Sequence, residues 1–300
     1  MADIEAAYRS LILCINERRW EDLPSYMHYD FIKNGQDYTP ESYAAEMRSA
    51  SGVELAIDAL TVDRESQRRL AATIRVKVNK SANSDENAAE LPGRPVSFME
   101  HHFNWFTEGG KLSKTLILAD RDEMHRQLAD PGATYTPDLI SQQPPAPTAS
   151  SLGSDGSGNK EVLSLLSSRE LEDTYRAYIG CINAQTMGTE LPRFCHAWVV
   201  HNTQTLALDR YRLLMEDAFA AIPDLVFGLH TVVTDEVAQR VAARIEFSGT
   251  PVGPHTLAGV KPNGRSVSFA EHVTYSFVDG KIARVWSIVD LASYRAQLSA

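Results

Sequence analysis

Cysteine is scarce in this chain: Cys14, Cys181 and Cys195 are the only three in 300 residues. Three thiols so spaced make no disulfide framework and no paired metal-ligand motif. Cys14 and Cys181 fall on the apolar side of helical patterns, where a free thiol packs as a small hydrophobe. Cys195 and His196 are neighbours on a predicted helix, so their side chains point apart and make no nucleophile pair. Positive charge is also short, with 29 Lys and Arg against 39 Asp and Glu and a formal net charge of −10. No Lys/Arg cluster interrupts that balance, which excludes a nucleic-acid backbone as partner. No apolar run is long enough to span a bilayer. The opening Met1-Ala2-Asp3-Ile4-Glu5 has no apolar signal core, so the expectation is a cytoplasmic protein without a membrane partner. G-x-G-x-x-G, P-loop and G-x-S-x-G patterns are absent. Glu100, His101 and His102 are adjacent, but strand alternation sends His101 to the opposite face and defeats chelation. A site with no cofactor and no metal is expected.

What the chain does contain is itself, twice. Tyr8-Arg9 and Cys14-Ile15-Asn16 return as Tyr175-Arg176 and Cys181-Ile182-Asn183. His28, Asn34, Tyr43 and Met47 return in order as His196, Asn202, Tyr211 and Met215. Val96-Ser97-Phe98-Met99-Glu100-His101 returns as Val267-Ser268-Phe269-Ala270-Glu271-His272, and Gly110-Lys111 and Asp120 return as Gly280-Lys281 and Asp290. Ordered matches of this extent mark a duplicated domain, and two units are too few for a solenoid. Each copy, about 130 residues, is long enough to bury its own core. The expected domains are 1–130, a divergent copy, and 167–300, joined by a flexible linker over 131–166. That linker holds Gln142-Gln143-Pro144-Pro145-Ala146-Pro147 and a Ser/Gly run through Gly158, a composition that buries too little to order itself.

Each copy repeats one element order. Ile4, Tyr8, Leu11, Ile12 and Ile15 lie at helical spacing, as do Leu171, Tyr175, Tyr178, Ile179 and Ile182. Ser167-x-x-Glu170 forms a capping box before the second set. Short helices are expected around Leu23–His28 and Leu191–His196. A third, opened by Thr39-Pro40 in the first copy, carries Tyr43 and Met47, matched by Tyr211 and Met215. The period then changes to two, giving expected strands Val226–Thr234, Ala238–Gly249, Ser266–Val278 and Lys281–Asp290, with a last turn at Asp279-Gly280. Three helices followed by an antiparallel meander predict an α+β domain with helices over one face of a curved sheet.

The run Val241-Ala242-Ala243-Arg244, Ser248-Gly249-Thr250, Pro262-Asn263-Gly264-Arg265-Ser266-Val267-Ser268-Phe269 and Tyr275 through Ile282, with Trp286 and Asp290, resembles the SnoaL-like polyketide cyclase family. Ala221-Ile222-Pro223-Asp224-Leu225 and Val199-Val200-His201 fit the same pattern. The resemblance covers nearly all of the second copy. The first keeps Gly93-Arg94 and Gly110-Lys111 but has Leu116 where Trp286 stands. The family implies a cone-shaped fold of the nuclear-transport-factor type, with a pocket between helices and concave sheet. It also implies dimerisation through the outer sheet face, here as an internal pseudo-dimer within a monomeric chain.

Alternation assigns the faces of the third meander strand. Val267, Phe269, Glu271, Val273, Tyr275 and Phe277 point to the pocket, as do Val96, Phe98, Glu100, His102, Asn104 and Phe106. The opposite face carries Met99, Phe103 and Trp105 in the first copy, too apolar for solvent and suited to a sheet-to-sheet contact. Glu100 and Glu271 are acid/base candidates, since burial raises a carboxyl pKa toward neutrality. The other reading is a structural carboxylate bonded to backbone or to Tyr8 or Tyr175. Cyclases of the family use a His and Asp pair on the last two strands, and the matching positions here are Val273 and Ser287, or His102 and Ile117. The Asp is missing from both copies, which argues against ordinary aldol closure. His102 remains, flanked on its face by Glu100 and Asn104, and an imidazole titrates in the useful range. Candidate catalytic residues are therefore Glu100, His102 and Asn104 in one copy and Glu271, Tyr275 and His201 in the other. Asn34 and Asn202 either bond a substrate oxygen or cap a turn. Trp286 reads as interface or core, and Asp120 and Asp290 as helix caps.

The expected function is a cofactor-independent cyclase, isomerase or dehydratase of secondary metabolism. Its substrate would be a small hydrophobic polyketide- or terpenoid-derived intermediate, held in shape and assisted in proton transfer, with pericyclic ring closure among the options. The alternative is a non-catalytic small-molecule-binding or scaffold protein of the same fold.

Overall fold

The computed structural model describes residues 2–50, 52–79, 95–130, 132–133 and 165–299. The expected linker lies almost wholly outside them, as does Gly93-Arg94. The first copy runs α1 (Ile4–Asn16), α2 (Leu23–Tyr26), β1 (Met27–Lys33), β2 (Gln36–Tyr38), α3 (Pro40–Ser49), β3 (Val53–Val62), β4 (Arg69–Val78), β5 (Val96–Phe106), β6 (Leu112–Ala119) and α4 (Arg121–Ala129). The second repeats it as α5 (Ser168–Asn183), α6 (Met187–Phe194), β7 (Cys195–His201), β8 (Gln204–Ala207), α7 (Leu208–Ala221), β9 (Val226–Asp235), β10 (Arg240–Gly249), β11 (Val267–Val278), β12 (Lys281–Val289) and α8 (Leu291–Ser299).

Local chemistry sets the element ends. Ser167 and Glu170 form the capping box of α5, and Thr39 with Ser42 makes an equivalent box at α3, where Pro40 takes the first turn. Asp120 caps α4 through the Glu123 amide, and Asp290 accepts from the Ser293 amide. Asp279 and Gly280 both have positive φ, 49° and 73°, at the turn into β12. The apolar stripes of α1 and α5 are buried, Cys14 and Cys181 among them.

Each copy has one six-stranded sheet, ordered β2-β1-β6-β5-β4-β3 and β8-β7-β12-β11-β10-β9. The meanders are antiparallel, but β1 pairs β6 and β7 pairs β12 in parallel. His28 and His196 therefore sit on edge-side strands rather than at helix ends. The helices stop because Met27 and Cys195 turn extended, with φ/ψ of −118°/143° and −123°/152°. A last strand with a free edge gives that extended segment its hydrogen-bond partners. β10 starts at Arg240, two residues later than the pattern suggested, because Gln239 has φ 49° and closes a turn.

The two sheets pack against each other by their outer faces. Ala71, Phe103, Val233 and Ala242 form one shared cluster, with Trp105 and Leu116 against it. Met99, Trp286 and Ile288 form another, with Leu118. Between these clusters His101 Nδ1 lies 2.9 Å from the His272 carbonyl, and His272 Nδ1 lies 3.1 Å from the His101 carbonyl. Two equivalent residues trading one bond each mark a pseudo-twofold axis. Asp235, 1% exposed, crosses the seam to accept from the Val62 amide and the Arg64 guanidinium. Among the described residues no helix is long and apolar enough to cross a membrane.

Candidate functional site

Both cones contain a cavity on the concave face of the sheet. In the first copy it measures about 470 Å³ and is walled by Glu100 and His102 of β5, Lys33 and Asn34 at the end of β1, Tyr43 and Glu46 of α3, and Ile117 of β6. Asp290, Ala292 and Ser293 of the other copy complete the wall. His102 is held at both ring nitrogens: Nε2 is 2.9 Å from Glu100 Oε2, and Nδ1 is 2.9 Å from the Tyr8 hydroxyl on α1. A neutral imidazole satisfies both contacts when Nε2–H donates to the carboxylate and the Tyr8 hydroxyl donates to Nδ1. Burial first, then the nearby Tyr43 and Glu100, push the Tyr8 hydroxyl pKa up, so it stays protonated and able to donate. Asn104 lies behind this row, buried beside Tyr8, and accepts from Thr115 Oγ1 at 2.8 Å. It does not reach the cavity wall. Lys33 pairs with Glu46 and sits 5.6 and 5.4 Å from the ring centroids of Tyr38 and Tyr43.

The second cavity, about 260 Å³, is chemically different. Tyr178, Tyr211, Tyr275, Phe227, Phe247 and Phe269 line it together with Glu271, His201 and Ser287. Burial raises the Glu271 carboxyl to about 7, and the hydrogen bond from Ser287 Oγ pulls against that shift. Tyr275 meets the Tyr175 ring at a tilt of 51° with centroids 4.9 Å apart, and Tyr178 edge-on at 5.8 Å. Tyr178 and Tyr211 share a hydroxyl–hydroxyl contact of 2.7 Å. His201 lies 5.9 Å from the Tyr211 ring, and burial lowers its pKa to about 4, so it is neutral at physiological pH.

The structure thus brings Glu100 and His102 together in one cavity, and Glu271, Tyr275 and His201 together in the other. His102 faces Ile117 across the strands and Val273 faces Ser287, and neither opposite residue is an acid. Asn34 and Asn202 hold the parallel strands: each side chain bonds both the amide and the carbonyl of the residue beside it, Ile117 or Ser287. Both have φ 51°, which asparagine tolerates better than most residues. Sequence reasoning missed Lys33 as part of the first site, and offered Tyr8 as a partner for Glu100, whereas its hydroxyl meets His102. The match of Tyr8 with Tyr175 marked the position, but only the packing of α1 across the sheet brings its hydroxyl to His102. Arg244 points to the seam with Nη1 3.1 Å from His272 Nε2. No group of three or more potential metal ligands occurs among the described residues.

A family model described as SnoaL-like polyketide cyclase matches residues 172–298. A solved SnoaL-like polyketide cyclase from Agrobacterium tumefaciens is 41% identical, over 43% of this chain and 97% of its own, with a TM-score of 0.39. The putative hydroxylase AclR of Streptomyces galilaeus is 23% identical over 44% of this chain and 98% of its own, with a TM-score of 0.39. IdmH, a putative polyketide cyclase of Streptomyces antibioticus, is 20% identical over 43% and 99%, with a TM-score of 0.38. No curated protein matches the chain.

Proposed function

The chain belongs to the SnoaL-like polyketide cyclase family, and on that premise we propose that it catalyses acid/base chemistry without a cofactor on a small hydrophobic polyketide- or terpenoid-derived ketone. The observation that carries this reading is the Tyr8–His102–Glu100 chain in the wall of the larger cavity. His102 occupies one oxygen of Glu100 and leaves the other for substrate. The reaction that suits one carboxylate is elimination of water from a β-hydroxy ketone. Glu100 takes the proton α to the carbonyl, and the electron pair of that C–H bond moves into an enolate. Lys33, in the same wall, supplies positive charge for the enolate oxygen. The enolate then expels the β-hydroxyl, which collects the proton from Glu100 and leaves as water. An unsaturated ketone remains.

His102 and Asn104 are positioning residues in this scheme: the first orients the carboxylate and the second packs beside Tyr8. With Ile117 opposite His102, the first copy lacks an acid at the position where the family's cyclases carry one for aldol closure. Ring closure then depends on the conformation the cavity imposes. In the second copy Glu271, poised near neutrality, is the corresponding proton carrier, with Tyr275 and the neutral His201 beside it.

The test is a panel of aromatic and aliphatic β-hydroxy ketones, with enone formation followed by ultraviolet absorbance. Glu100→Gln should lower turnover on the order of 10²–10⁴-fold, the usual weight of one general acid/base, while the melting temperature barely moves. Unchanged turnover in Glu100→Gln would remove the carboxylate from the mechanism. Tight binding without turnover of any ketone would favour the non-catalytic, ligand-binding reading.

A further inference from the structure

Three hollows lie in series across the seam between the copies. Ala119, Arg121, Asp290 and Ala292 line the first-copy cavity and also a smaller crevice of about 220 Å³. On its far side His201, Ser287, Val289 and Leu291 line both that crevice and the second cavity. Only Asp120, Asp122, Asn202 and Ile288 belong to the crevice alone. Its rim is formed by the first turns of α4 and α8, which Arg295 ties together through a two-pronged pair with Asp122, at 2.7 and 2.6 Å.

We infer that this crevice is a passage joining the two cavities, so that the product of one is consumed in the other. The two ends differ in the sense such a transfer needs. The first holds a cation and a His–carboxylate pair; the second is walled mainly by aliphatic and aromatic side chains. Loss of water removes a hydroxyl from the substrate, and the less polar product gains by moving to the apolar chamber. The second chamber then carries out an atom-conserving step, the closure of a ring within the unsaturated ketone. The direction of transfer rests on the water-eliminating role proposed for Glu100; the passage does not.

The experiment needs no substrate. One thiol is placed in each cavity outside the crevice, by Ile117→Cys and Val285→Cys. The doubly substituted chain is treated with bis-methanethiosulfonates of increasing alkyl length. The parent chain, whose three cysteines are buried, is the control. Each single variant is first shown to react with methyl methanethiosulfonate. A passage gives an intramolecular link once the spacer is long enough, and Ala292→Trp, which plugs the crevice, abolishes it. Where Ala292→Trp lowers the melting temperature, the smaller plug Ala292→Leu should reduce the yield in the same direction. No link at any length, a thiol that never reacts, or a link that survives the plugs overturns the inference. A plug-sensitive link in a protein whose turnover ignores Glu100→Gln keeps the passage and removes its direction.

Discussion

Acid should loosen the seam between the sheets through His101 and His272. Both are buried against each other's backbone, with Phe103 edge-on to the His272 ring and Arg244 beside it. Burial lowers His101 from 6.5 to about 4 and His272 to about 3; the bond to the opposing carbonyl pulls against each shift, while His102 adds to that of His101, and His101, Arg244 and His102 add to that of His272. In the unfolded chain both take up a proton near pH 6.5. Between that pH and the folded values the unfolded state binds more protons, so stability falls as pH falls. The stabilisation is fully present above pH 6.5 and lost on the way down to about pH 3. At about 1.4 kcal/mol per unit, the loss is roughly 3 kcal/mol for His101 and somewhat more for His272. Glu271 works in the opposite direction: its folded value of about 7 lies above 4.5, so its contribution is present below pH 4.5 and lost as pH rises toward 7. The whole-protein curve mixes these effects, and a difference experiment separates them. In His101→Asn/His272→Asn the amide nitrogen takes the place of Nδ1 and still donates to the opposing carbonyl, but does not titrate. Urea unfolding of parent and double variant, near neutrality and near pH 4, should show the variant losing several kcal/mol less on acidification. Parallel curves would refute buried neutral imidazoles at the seam.

Two further outcomes test the scaffold. Asn202→Ala removes both bonds to Ser287 and leaves a β-carbon at φ 51° without compensation, so urea unfolding should show a loss of about 2–3 kcal/mol; a loss within the noise would mean that the anchor carries no load. Trp286, 3% exposed between Met99 and Ile288, should cost about 3–5 kcal/mol on truncation to alanine. An unchanged urea midpoint would show that the seam is not packed there.

The repeat, the helical stripes and the strand faces were legible because each is a local period. Alternation along Val96–Phe106 sufficed to put Glu100 and His102 inside and Met99, Phe103 and Trp105 at the seam. The direct opposition of His102 to Ile117, and of Val273 to Ser287, was not legible: register shifts between Trp105 and Phe106 and between Ser276 and Phe277 move each partner by one residue. The parallel strands β1 and β7 were not legible. Their exposure is irregular, with three exposed residues between Met27 and Phe31, and they follow a short helix without a breaker. Contacts such as Tyr8 to His102 join residues far apart in sequence, and no local pattern encodes them. The crevice was hidden for a stronger reason: its walls come from both copies, whose relative placement is set by the seam as a whole.

The reciprocal histidines have a consequence for how this molecule can change. In a two-chain dimer every substitution at such an axis is made twice, once on each side, and its energetic cost is doubled. Here one codon alters one side only. The positions opposite the two histidines have already diverged: Arg244 faces His272, while Thr73 faces His101. A guanidinium that one side accommodates never had to be accommodated by the other. Fusion thus halves the cost of each experiment at the seam and lets two once-identical chambers drift toward different occupants while the joint between them holds.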